Sequence, residues 1–139
     1  MRVVLDAVIF VRALMNRRSV WGQVVARANE FTILTSPDIR SEIVGVIERP
    51  ELHERLSRWA GTADTAVVLS LLDESESVDP DVVAPVCRDA NDDIYFACAS
   101  AGSADYIVSE DEDVLAIAEY EGARTIRAAA FLELLDAAR

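Results

Sequence analysis

Residues 92–115 read DDIYFACASAGSADYIVSEDEDVL, and their pattern decides the fold class. Two aspartates open an apolar stretch with helical spacing, which Gly102 ends, predicting a helix from about 92 to 101. YIV at 106–108 is a short buried strand. A second helix is predicted from there to about 120, ended by Gly122. Helix, strand and helix in quick succession are the repeat of an α/β domain built on a parallel sheet.

Outward from this stretch the same alternation continues. A strand is predicted at 124–127, followed by a last helix. On the other side, DESESVDPD at 73–81 is the most loop-like segment. Val67, Val68, Leu71 and Leu72 mark a helix with Thr62 as its cap, and Leu52, Leu56 and Trp59 share one face of another. TSPD at 35–38 is a helix start, with Ser36 as N-cap, Pro37 in the first helical position and Asp38 in the first turn. That helix runs to about Glu48, and Pro50 stops it. FTIL at 31–34 and residues 2–5 are strands. Residues 8–15 and 20–29 are helices, the second capped by Ser19. The expected fold is one α/β domain over 1–139, a three-layer α/β/α sandwich with a small parallel sheet.

Composition narrows the function. The formal charge is −12, from 25 acids and 13 bases, which disfavours broad electrostatic binding to nucleic acid while leaving room for a local basic groove. All the bases are arginine. A phosphate-binding loop of the GK[ST] kind needs lysine, and receiver domains and aspartyl-phosphate phosphatases normally use one too. No apolar run approaches the roughly 20 residues of a membrane span, and no signal-peptide pattern opens the chain, so a soluble cytoplasmic protein is expected. Cys87 and Cys98 cannot build a disulfide framework. One His and two separated Cys disfavour a zinc site.

The acids are the informative residues. Asp6 interrupts the apolar segments VVL and VIFV, and a buried carboxylate needs compensation. It lies at the carboxyl end of the first strand, where parallel sheets place their ligands. Asp111 lies just past YIV and points to the same rim. Asp93 opens a helix. Glu42 sits at the border of the stripe formed by Ile39, Ile43, Val46 and Ile47. Converging carboxylates without lysine or histidine suit a hard cation, Mg²⁺ or Mn²⁺. Each acid also has a plain structural alternative. Ser109 and Glu112 match a capping box, which would make Glu110, Asp111 and Asp113 helix-start acids. Asp92 and Asp93 could be caps, and Glu42 a boundary residue with its head in water.

Four segments in order, VVLDAVIFVRALM, LTSPDIRSEIVGVIERPEL, CRDANDDIYFACASAGSADYIVSEDEDVL and RTIRAAAFLELL, resemble the PIN domain family of small Mg²⁺/Mn²⁺-dependent ribonucleases. They look particularly like the bacterial toxin components of toxin–antitoxin systems. The resemblance covers nearly the whole chain. It implies metal-binding and catalytic acids at Asp6, Glu42, Asp93 and Asp111, with Asp113 as a further metal ligand. Asp93 is preferred because F-A-C-A follows it at the family's spacing; Asp89 and Asp92 are the alternatives. It further implies an RNA substrate, a homodimer and a small antitoxin partner. Arginines near the rim, Arg12, Arg17, Arg18 and Arg88, are candidates to hold substrate backbone, with solubilising surface residues as the plain alternative for each. One departure stands out. The family usually has Thr or Ser directly after the first Asp, where this chain has Ala7. A missing hydroxyl there implies weakened catalysis, or in the alternative a PIN-like RNA- or protein-binding module.

Overall fold

The structure, a computed structural model, describes residues 1–59 and 62–139, the side chains of 56–59 and 62–64 excepted. The expectations for Leu56, Trp59 and the Thr62 cap fall outside the described side chains. Six strands form one sheet: β1 (Arg2–Leu5), β2 (Thr32–Thr35), β3 (Glu76–Ser77), β4 (Tyr106–Val108), β5 (Glu119–Tyr120) and β6 (Ala123–Ile126). Their order is β3-β2-β1-β4-β6-β5, and every pairing is parallel except β5 with β6. The helices are α1 (Ala7–Met15), α2 (Val20–Ala26), α3 (Pro37–Ile47), α4 (Pro50–Trp59), α5 (Thr62–Glu74), α6 (Asp93–Ala101), α7 (Glu112–Leu115) and α8 (Ala128–Ala138). The expected three-layer α/β/α arrangement is what they make.

The core explains the order. Val3, Val4 and Leu5 are all buried, so β1 is covered on both faces, as a central parallel strand must be. Such a strand shows an apolar run rather than alternation, and VVL is that run. Helix α6 lies against β1, β2 and β4, while α2 packs on α1 and α8. Ile39, Ile43 and Ile47, one stripe of α3, are buried as their spacing predicts. Gly22 lets the α1–α2 turn close: a Cβ there would lie 2.2 Å from the Arg17 carbonyl oxygen. Among the described residues no helix is long and apolar enough to cross a membrane.

Local signals mostly hold. Ser19 caps α2 through the Gly22 N–H, and Ser36 caps α3 through the Ile39 N–H. Four expectations are corrected. The helix expected over 20–29 ends at Ala26 and passes into a 3₁₀ turn, Ala28–Glu30. Pro50 starts α4 instead of only stopping α3, because proline at a first helical position forfeits no bonded N–H. DESESVDPD is not all loop: α5 runs to Glu74, and Glu76–Ser77 pairs with β2 as an edge strand. Finally, the helix expected to reach 120 stops at Leu115, and Glu119–Tyr120 turns back through Gly122 (φ +88°) to pair with β6.

Candidate active site

The site starts from the β1–α1 junction. The Asp6 N–H donates to the Val108 carbonyl at 3.0 Å, carrying the β1–β4 ladder to the last residue before the helix. Asp6 Oδ1 accepts from the Val8 N–H at 3.1 Å and so caps α1. Its Oδ2 accepts from Ser109 Oγ at 2.7 Å. The carboxylate is 4 % exposed. A helix N-terminus and a buried hydroxyl therefore carry part of the charge that looked unexplained between two apolar segments.

Ser109 comes from the other side of the sheet's rim. It follows β4 directly, is fully buried, and holds β6 through its N–H to the Ile126 carbonyl. Its Oγ also accepts from the Asp111 N–H at 3.0 Å. One side chain thus joins the acid after β1 to the acid after β4. The capping box expected from Ser109 and Glu112 does not form. Asp111 is the N-cap of α7, accepting from the Asp113 N–H at 2.8 Å, and Glu112 pairs with Arg127.

Asp6, Glu42, Asp92 and Asp111 line one cavity of about 130 Å³, together with Ala7, Val8, Val11, Val46 and Tyr95. Glu42 reaches it from α3, where its place beside Val46 on the helix surface is the one its spacing predicted. Asp92 Oδ2 is buried and has no hydrogen-bond partner. Burial pushes the Asp92 carboxyl up to about 7, and the charges of Asp111, Asp6, Asp89 and Asp113 push the same way. Tyr95 is 3 % exposed, and its hydroxyl accepts from the Ala7 N–H at 3.3 Å. Burial first, then the charge of Asp6, hold its phenol well above the ordinary value, so it stays protonated at neutral pH.

Asp93 is taken elsewhere. Its Oδ1 accepts from the N–H groups of Val86 (3.0 Å) and Cys87 (2.7 Å), which ties the incoming loop to the first turn of α6. Of the two neighbours, Asp92 and not Asp93 is in the cavity wall. The chain passes there from a 3₁₀ turn (Ala90–Asp92) into α6, and consecutive side chains are splayed by roughly 100–120°. Asp89 caps that 3₁₀ turn through the Asn91 N–H. Neither Asp89 nor Asp113 lines the cavity; both reach Asp92 only through their charge. Among the described residues, no three His, Cys, Asp or Glu side chains are drawn together as they are around a bound metal ion.

Beside the cavity runs a second set of contacts. The Arg12 guanidinium lies 4.7 Å from the centroid of the Trp21 ring. Trp21 Nε1 donates to Glu110 Oε1 at 3.2 Å. Glu110 also accepts from the Ala128 N–H and from Arg127. Burial opposes its ionisation, but these three donors outweigh burial and lower its pKa. Nothing in the sequence pattern marks Tyr95 or Trp21, and the pattern offers Glu110 only as a helix-start acid. Ser109 alone carried a usable signal, a hydroxyl at the end of a strand and two residues before an acid.

The class that fold and site define is a parallel α/β domain with an acid-lined cavity, where Asp6 and Asp111 follow β1 and β4 and Glu42 and Asp92 come from α3 and the turn before α6. The sequence matches the PIN domain family model over residues 2–113, and the chain belongs to that family. Two solved structures share the fold. PAE2754 from Pyrobaculum aerophilum superposes with a TM-score of 0.63 at 17% identity, over 99% of this chain and 90% of that one. VapBC2 from Rickettsia felis, bound to a DNA fragment from their promoter, gives 0.57 at 15% identity, over 91% of this chain and 98% of that one. No curated protein matches the sequence.

Proposed function

We propose that this chain is a Mg²⁺- or Mn²⁺-dependent endoribonuclease, and that it is the toxin of a toxin–antitoxin pair. The observation that carries the reading is Asp92 Oδ2, a buried carboxylate oxygen without a partner, facing a cavity lined by three more acids. Such a group calls for a cation. The donor set is all oxygen, which fits a hard cation rather than zinc or copper. The looseness of the cluster is compatible with Mg²⁺, which keeps several of its waters and takes only one or two carboxylates directly. Asp6, Glu42, Asp92 and Asp111 would hold it. The chemistry a divalent cation supplies when bound is polarisation of the scissile phosphate and activation of a water.

The chain's own residues supply the rest. Ser109 and the start of α1 fix Asp6, so its carboxylate needs no reorganisation when substrate arrives. Tyr95 stays neutral and adds a hydroxyl without adding charge. Burial pushes the Asp92 carboxyl up to about 7, and positive charge in the cavity would favour its ionised form. PIN-family membership and the fold shared with VapBC2 support a toxin role with a small antitoxin partner; a homodimer is part of the same proposal.

The test is cleavage of labelled RNA in Mn²⁺ with and without EDTA, alongside thermal melts in the same solutions. Mn²⁺ raises the melting temperature and permits cleavage; Asp6→Asn, Asp92→Asn and Asp111→Asn lose both. An equal rise in wild type and all three variants would mean that the cation acts only on the overall negative charge. Wild type indistinguishable from a quadruple acid-to-amide variant on several RNAs would leave a binding module in place of a nuclease.

A further inference from the structure

All 25 acids lie outside residues 7–29, while that segment carries four arginines: Arg12, Arg17, Arg18 and Arg27. Arg27 is committed to Glu30 and Asp136. Arg12, Arg17 and Arg18 lie on α1 and the turn into α2, a stretch without acids in an acidic molecule. This sector borders the cavity. Val8 and Val11 of α1 line it, and Arg12 lies one turn on from Val8 along the same side of the helix. Among the described residues Arg12 makes no ion pair. Its guanidinium rests instead on the Trp21 ring, 4.7 Å from the centroid, and the ring is itself fixed by its N–H to Glu110, the residue before Asp111.

An arginine with free donors, held in place by an aromatic face, has little rotamer freedom left to lose on binding and can offer paired N–H groups to a phosphate. We propose that the Arg12–Trp21 pair is the docking point for the RNA strand beside the cavity, taking the phosphodiester next to the one at the acids. The inference rests on the nuclease reading above and adds the path of the substrate. The acid-rich remainder repels RNA and the α1–α2 sector attracts it, so the strand crosses the rim over α1. Val8, 41 % exposed at the cavity mouth, gives that path an apolar surface under a base.

The experiment is fluorescence anisotropy of a labelled 12-nucleotide RNA in EDTA, where binding is read without cleavage, over a series of salt concentrations. Arg12→Ala should weaken binding about tenfold, on the scale of a hydrogen bond to a charged group. It should also flatten the dependence of log affinity on log salt by about 0.7, the share of one single-strand phosphate. Arg12→Lys should restore the salt slope but only part of the affinity. Trp21→Leu, with every charge intact, should also weaken binding, and Trp21→Phe serves if the Leu variant fails to fold. Arg139→Ala, the same charge removed at the far terminus, should do little. In Mn²⁺, Arg12→Ala should raise KM and leave kcat near wild type. The proposal is overturned if Arg12→Ala and Arg139→Ala behave alike, or if both folded Trp21 variants bind as wild type. Wild-type cleavage with no Arg12 effect sinks this path alone. An Arg12 effect on binding without any cleavage sinks the nuclease reading and keeps the docking point.

Discussion

Asp92 and Asp93 are adjacent and chemically identical, and the backbone gives them opposite tasks. Asp93 satisfies two loop N–H groups, so Asp93→Ala should cost about 1–3 kcal/mol in urea melts. Asp92 has the reverse sign. Its folded pKa is raised to about 7 from 3.8, so its contribution is fully present below about pH 4 and is lost as pH rises through 7. Asp92→Asn should therefore stabilise the metal-free protein at pH 8 and leave it unchanged near pH 4. Allowing for solvent screening, the gain is on the order of 1 kcal/mol, roughly 3–6 °C. Destabilisation at pH 8 would make Asp92 a structural acid. The neighbouring Ala7 changes meaning in the structure. It is buried, and the Tyr95 hydroxyl already meets its N–H. Ala7→Thr should overpack and cost about 1–3 kcal/mol, whereas Ala7→Ser should be tolerated; equal melting temperatures for the two would show spare room at the site.

At the scale of elements, what was readable depended on whether local chemistry and tertiary pairing agreed. VVL followed by Asp6, and Ser36-Pro37 before α3, carry their own start and stop signals, and the structure keeps them. The segment 112–120 carries helical apolar spacing, yet tertiary contacts override it. Ala118 and Glu121 have φ of +60° and +47°, Tyr120 packs edge-to-face on Phe96 at 5.6 Å, and the Thr125 N–H reaches the Ala118 carbonyl. No window of sequence contains Phe96 and Tyr120 together. Ala118→Gly separates the two readings. In a helix it would cost about 1 kcal/mol; in this left-handed turn it should be neutral to stabilising by up to about 1 kcal/mol, measured by urea midpoint. β3 escaped notice for a related reason. Its two residues, Glu76 and Ser77, are exposed and polar, and the partner of Glu76 is Arg2 on β1, which forms a two-pronged pair at 2.8 and 2.9 Å.

At the scale of the whole molecule, charge sets the working conditions. Glu30, held by Arg27 first and then Arg139, has its pKa lowered to about 2, so its contribution exists above about 4.5 and disappears as pH falls through 2. Asp92 works from the other side. Together with repulsion within a chain of charge −12, they place the stability maximum of the metal-free protein on the acid side of neutrality, near pH 5. Millimolar Mn²⁺ should displace that maximum upward, because positive charge in the cavity removes the cost of ionised Asp92. A metal-free maximum at pH 8 would contradict this. The positions of Asp6 and Asp111 were readable because strand ends announce themselves. Which of Asp92 and Asp93 faces the cavity was not, since it depends on one 3₁₀ turn, and the Arg12–Trp21 pair was hidden because its partners meet only after α2 folds back on α1.

The hydroxyl bridge from Asp6 to Ser109 spans 103 positions of chain, and the inner edge of β1 stays open until β4 fills it. On the ribosome, residue 6 emerges early and waits for most of the chain before its carboxylate is set. A polypeptide released just before Ser109 carries three of the cavity's acids, Asp6, Glu42 and Asp92, but lacks Asp111 and the Ser109 hydroxyl that orients Asp6. On the proposed nuclease reading, half-made copies lack a finished site, and the stretch of translation from Ser109 onward acts as its safety catch.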